Sequence, residues 1–281
     1  LDSSVWPVCT SLFVFFMVLS LVYFFKFGFF WFFIFSLLLF FFVLFFWFYA
    51  LDNECLFGIF PSLTYFFFRI GFILFIISEI LFFGGFFWCF FSNCWVFNYY
   101  FDSWPPFGFN LLVVDMFGYP LLNTVLLLSS GLSLTVVHYF ILIRDYSYVL
   151  KTCQVNRLTS LCIPRSKVLW FEDTDFSFIS YGYFVTIFFG FLFLSFQLYE
   201  YIHSYFSINS TVYGSIFFIL TGFHGFHVFL GLIMLLFSYF RYYNFSYSSN
   251  DHVGFECAAW YWHFVDVVWL FLYIFVYWYG S

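Results

Sequence analysis

Glu79 is the one ionisable residue in Phe72-Ile73-Leu74-Phe75-Ile76-Ile77-Ser78-Glu79-Ile80-Leu81-Phe82-Phe83. If this run crosses a bilayer, its carboxylate sits where insertion costs roughly 2 to 4 kcal/mol, so it needs a reason to be there. Three readings are open: a neutral glutamic acid bonded within a helix bundle, a contact to a lipid headgroup, or a step in a proton path. Glu256, Trp260, His263 and Asp266 recur at intervals of 4, 3 and 3, which lays them along one stripe of a helix. Such a stripe is either a proton relay or cation site, or a hydrogen-bond ladder that docks the helix on its neighbours. His224 and His227 lie i and i+3 in Thr221-Gly222-Phe223-His224-Gly225-Phe226-His227-Val228, among glycines that admit a close neighbour. Two ligands so placed cannot clamp both faces of a haem. No metal ligand set is expected from spacing, since the seven cysteines, at 9, 55, 89, 94, 153, 162 and 257, form no C-x-x-C pair. They are expected as free thiols, with Cys89 and Cys257 as small apolar fillers.

The elements that position these residues follow from composition. Of 281 residues 65% are hydrophobic and 8% charged, against about 25% charged in ordinary soluble domains. That excludes a water-soluble globule. Leu12 to Phe25, Phe29 to Leu51 and Ile216 to Phe240 are continuously apolar, which excludes the alternating segments of a transmembrane barrel. The chain reads as an all-α integral membrane protein with seven transmembrane helices, near 8–25, 29–50, 65–91, 119–143, 176–203, 211–240 and 256–279. Lys26-Phe27-Gly28 is expected as a tight turn. Asp52-Asn53-Glu54 should open a polar loop, Ser103-Trp104-Pro105-Pro106-Phe107-Gly108 should break a helix, and 144–175 is expected as an extended loop. Seven spans place Arg69, Arg144, Lys151, Arg157, Arg165, Lys167 and Arg241 on one side and only Lys26 on the other. The positive-inside rule then puts the N-terminus inside and the C-terminus outside. The N-terminal residues show neither a secretory signal nor a transit peptide, and 58 Phe against 3 Met is the bias of many organelle genomes.

Four motifs together resemble the signatures of mitochondrial cytochrome c oxidase subunit III: Leu74 to Phe83, Pro120-Leu121-Leu122-Asn123-Thr124, Thr221 to Val228, and Gly254-Phe255-Glu256-Cys257-Ala258-Ala259-Trp260-Tyr261-Trp262-His263-Phe264-Val265-Asp266 onward to Phe271. The resemblance runs from Trp6-Pro7 to the closing Trp278-Tyr279-Gly280-Ser281. It implies a core subunit of complex IV in the mitochondrial inner membrane, holding no redox centre and no catalytic residue of its own. Haem a and copper would belong to subunits I and II. It further implies two-helix and five-helix bundles separated by a V-shaped cleft of structural phospholipids, with nuclear-encoded accessory subunits as further partners.

By the same resemblance Glu79 is the buried glutamate facing subunit I and the lipid cleft, near the entry of a proton path. His227 and Arg241 match positions near lipid headgroups, where an arginine fork suits a phosphate. Three departures stand out: Tyr49-Ala50-Leu51-Asp52-Asn53-Glu54-Cys55 where the family carries a basic headgroup contact, Asn250-Asp251-His252 where it usually has two histidines, and a longer connection at 144–175. That connection is expected to contact an accessory subunit or cardiolipin headgroups. Two competing readings are an autonomous proton or ion carrier, which should show inverted repeats, and subunit III of a quinol oxidase. The sequence shows no such repeat.

Overall fold

The computed structural model describes residues 4–56, 62–101, 104, 114–157, 165–243 and 252–280, with side-chain detail for 4–51, 63–96, 104, 114–142, 177–243 and 252–280. Seven α-helices make up the described residues: α1 Trp6–Phe27, α2 Phe30–Leu56, α3 Ser62–Phe101, α4 Tyr119–Arg157, α5 Arg165–His203, α6 Val212–Tyr243 and α7 Val253–Leu272, the last continued by a π-helical turn, Tyr273–Trp278. Each is long and apolar enough to cross a membrane. Two compact units divide the chain, Leu1–Phe68 and Arg69–Ser281.

The first unit is built on a helical hairpin. Gly28 closes α1 at φ 74, a left-handed conformation that spares glycine the Cβ clash, and its N–H returns to the Phe24 carbonyl at 2.8 Å. Pro7 suits the first turn of α1, where its missing N–H would find no partner anyway. Buried Ser20 and Ser36 meet across the hairpin with hydroxyl oxygens 2.6 Å apart. Farther from the turn Trp6 stacks on Phe46 with ring centroids 6.5 Å apart. Small polar residues suit such a seam, because between lipid-facing helices close approach and hydrogen bonds replace the hydrophobic effect.

In the second unit α4 pairs with α5, and α6 with α7. Glycines set how near these helices come. A Cβ at Gly190 of α5 would stand 2.6 Å from Trp262 Cη2, and one at Gly231 of α6 would stand 2.9 Å from Trp262 Cε3. The indole of Trp262 on α7 therefore occupies space that two glycines vacate. It is fully buried, and its Nε1–H donates to Ser130 Oγ on α4 at 2.9 Å. One side chain thus joins four helices. Ser133 with Thr186 at 2.7 Å and Tyr183 with Ser238 at 2.8 Å tie α4 to α5 and α5 to α6.

The expected turn at Gly28 is present, and two stretches expected as loops are helical where they are described. The backbone of Asp52-Asn53-Glu54 is helical within α2. Through the stretch expected as an extended loop at 144–175, α4 continues to Arg157 and α5 starts at Arg165. The reason is physical: loss of apolarity marks where lipid ends, whereas backbone hydrogen bonds let a helix run on into the polar zone. Residues 158–164 lie outside the described residues, as do the side chains of 143–176, so the five basic groups from Arg144 to Lys167 have no described contacts. Of the expected breaker Ser103 to Gly108 only Trp104 is described, and Asn250-Asp251 lies outside, as do the side chains of Cys55, Cys153 and Cys162. Cys9, Cys89, Cys94 and Cys257 form no disulfide among the described residues.

Candidate functional site

Helix α3 meets α6 and α7 through aromatic rings and two polar pairs. Phe75 stacks on Tyr261, Phe82 and Phe86 pack on Phe223, and Phe87 and Phe91 meet Phe275. Among these rings Glu79 Oε2 lies 3.0 Å from His227 Nε2. The other ring nitrogen of His227, Nδ1, lies 2.7 Å from the Phe223 carbonyl. A carbonyl only accepts, so Nδ1 carries a hydrogen and donates. In a neutral ring Nε2 is then a bare acceptor, and a carboxylate facing it would set lone pair against lone pair. A hydrogen bond at this contact therefore needs one proton, either on Glu79 or on Nε2. Both arrangements leave the pair with zero net charge, which suits a low-dielectric surrounding.

That geometry fixes what His227 can do. Both ring nitrogens are engaged within the chain. Arg241 sits half-buried in the last turn of α6, fourteen residues beyond His227 and so about 21 Å along the helix. The two cannot hold one headgroup together. His224 turns from His227 toward α7, where its Nε2 donates to the Val265 carbonyl at 3.1 Å, and its ring is enclosed by Phe193 and Trp269.

The second pair lies nearer the start of α3. Arg69 Nε donates to Glu256 Oε2 at 2.6 Å and Nη2 donates to Oε1 at 3.1 Å, a two-pronged contact. His252 Nε2 stands 3.4 Å from Glu256 Oε1, one helical turn before it. At the other end of the stripe Asp266 Oδ2 lies 3.7 Å from His263 Nδ1. It faces Gly131 on α4 so closely that a Cβ there would stand 2.6 Å away. Glu256, Trp260, His263 and Asp266 thus do not form one ladder: Glu256 serves α3, while Asp266 lies against α4. The residue that docks α7 most deeply is Trp262, which the stripe left out.

A further buried network was not singled out from the sequence. Asn123 Nδ2 donates to Gln197 Oε1 at 3.4 Å, Gln197 Nε2 donates to Tyr277 Oη at 3.5 Å, and Tyr277 donates to Glu200 Oε1 at 2.8 Å. It joins α4, α5 and the closing π turn. The signal was available, since Gln197 and Glu200 lie i and i+3 within an apolar run, by the rule that singles out Glu79.

Residues 1–180 and 171–281 match the family described as cytochrome c oxidase subunit III. This chain belongs to the cytochrome c oxidase subunit III family. Relatives named cytochrome c oxidase subunit 3 are similar to it at 40% identity over 197 residues in Pisaster ochraceus, covering 70% of this chain and 64% of that protein. The Drosophila melanogaster relative is 40% identical over 179 residues, 64% of this chain and 56% of its own length. The Spodoptera frugiperda relative is 42% identical over 178 residues, 63% of this chain and 99% of its own length. The chain therefore spans less than two thirds of the first two relatives.

Proposed function

We propose that the chain is the non-catalytic core subunit of a cytochrome c oxidase in the mitochondrial inner membrane. There it would support electron transfer from cytochrome c to oxygen, and coupled proton pumping, by steadying the metal-bearing subunits. The observation that carries this reading is the family match along nearly the whole chain, joined to seven helices able to span a membrane. Subunits I and II, nuclear-encoded accessory subunits and phospholipids including cardiolipin are the proposed partners, with haem a and copper held by those subunits. The relatives reported above all carry the cytochrome c oxidase name, which does not favour a quinol oxidase.

In this reading the polar groups within the membrane position helices and hold protons. The Glu79–His227 pair can pass its single proton between oxygen and nitrogen without changing its net charge, so it supports a role for Glu79 beside a proton path. The distribution of Lys and Arg supports an N-terminus in the matrix and a C-terminus in the intermembrane space. Arg241, at the end of α6, remains proposed as a headgroup contact.

Purification in mild detergent from the native membrane tests the proposal through an optical spectrum and mass identification of co-purifying proteins. Haem a absorption together with the two metal-bearing oxidase subunits is the expected result. A homogeneous haem-free particle that carries protons or ions alone would contradict it.

A further inference from the structure

The fold brings together three side chains that the sequence holds far apart. His138 lies on α4, while His252 and Glu256 lie one turn apart at the start of α7. One ligand atom from each, an imidazole nitrogen from the two histidines and a carboxylate oxygen from Glu256, falls within 4.8 Å of the others. His252 is buried and the other two are half-buried. The two imidazoles meet edge to face with ring centroids 5.8 Å apart, and Phe255 packs on His138 at 5.4 Å.

We infer that His138, His252 and Glu256 form a binding site for a borderline divalent cation of the zinc class. The chemistry of the set selects the metal. Two imidazoles and one carboxylate are a zinc-type donor set that leaves a fourth tetrahedral position for water, whereas calcium and magnesium take oxygen ligands. Ligand atoms around tetrahedral zinc stand about 3.3 Å apart, as follows from metal–ligand distances of about 2.0 to 2.1 Å. Side-chain rotations that contract the present spacing by about 1.5 Å or less would complete the shell.

Placement also suits access from water. His138 comes near the end of the apolar part of α4, which reaches Leu142, and His252 immediately precedes α7. Both therefore stand at the membrane face rather than at its centre, unlike Glu79. Arg69 is the opposing charge. Its shorter contact is with Glu256 Oε2, at 2.6 Å, while the oxygen nearest His252 is Oε1. The carboxylate can thus bridge, with Oε2 kept by Arg69 and Oε1 given to the metal at the expense of the longer 3.1 Å bond from Nη2. A bound cation would cross-link α4 to α7 at this face. The inference does not depend on the oxidase reading, since it needs only the geometry of these helices.

The decisive test uses the intact assembly purified with this chain, equilibrated with zinc chloride, and anomalous difference density recorded at the zinc edge. A peak bounded by His138, His252 and Glu256, at about 2.0 to 2.2 Å from its ligands, is the expected result. Zinc at saturating concentration with no peak at this place would overturn the site. Zinc counted per assembly should fall by one per chain in His138→Gln, which keeps side-chain polarity but removes the imidazole nitrogen that would ligate the metal. An assembled His138→Gln particle with an unchanged count would also overturn it. Should that variant fail to assemble, the anomalous map of the native assembly decides alone.

Discussion

Helices α3 and α7 show two ways of holding a helix in lipid. α7 is docked by shape: Trp262 fills the space left by Gly190 and Gly231, and 56% of its most apolar window is buried. α3 has 6% of its window buried, and long Phe side chains and two polar pairs bridge it to α6 and α7. Apolar contact with a neighbouring helix gains little over contact with lipid, so α7 relies on close packing and α3 on polar pairs, of which Glu79 and His227 would be left unmatched in hydrocarbon on separation. The two pairs differ from each other as well. Arg69 is always charged and fixes Glu256, whereas a hydrogen bond between Glu79 and His227 needs one proton that either partner can carry.

This contrast predicts its own failures. Gly190→Leu should do the most harm, because its first added carbon meets Trp262 Cη2 at 2.6 Å and Leu232 Cδ2 at 2.7 Å. We expect a loss of at least about 1 to 3 kcal/mol and a low yield of assembled particle, read by thermal unfolding and by recovery from the membrane. Trp262→Phe in the same chain should recover part of that yield. Indifference to Gly190→Leu would mean that α7 is not held by shape.

Arg69→Gln comes next and sharpens the other half of the comparison. It leaves the Glu256 carboxylate without its two-pronged partner. The cost should be about 1 to 2 kcal/mol, below that of a fully buried pair because 36% of the Arg69 side chain is exposed. Adding Glu256→Gln should cost less than the sum of the single changes, since the orphaned charge is then gone. Strict additivity in thermal midpoints would show that the pair does not hold α3.

Ser130→Ala removes the acceptor for the Trp262 Nε1–H while leaving the packing in place. A buried donor then lacks a partner, and about 1 kcal/mol of stability should be lost, visible as a lower thermal midpoint of the assembly. An unchanged midpoint would place all of the docking of α7 in its shape.

Seven helices were legible because apolar runs and the Gly28 turn are local signals. The ends of α4 and α5 were not, since polarity at Arg144 marks the edge of lipid and says nothing of backbone hydrogen bonds. Glu79 was legible as a residue that needed a partner, but His227 lies 148 positions away and only the fold names it. The Glu256 to Asp266 stripe correctly grouped residues of one helix, yet a stripe does not tell which neighbour each residue meets. Trp262 was hidden among many aromatics, and the glycines that receive it lie on two other helices. His138 carried no pattern alone for the same reason.

Glu79→Gln should be the mildest change of all. The Gln amide can still donate to His227 Nε2, so the contact that replaces Glu79 keeps its proton and α3 keeps its place. The central claim, a structural subunit that positions helices and carries no electron-transfer step, is tested most directly by the initial rate of cytochrome c oxidation in the assembled Glu79→Gln complex. We predict a native haem spectrum and a rate within about twofold of the unaltered complex, since in the proposed reading the reacting atoms belong to subunits I and II. Loss of electron transfer with the haems still in place would contradict the account.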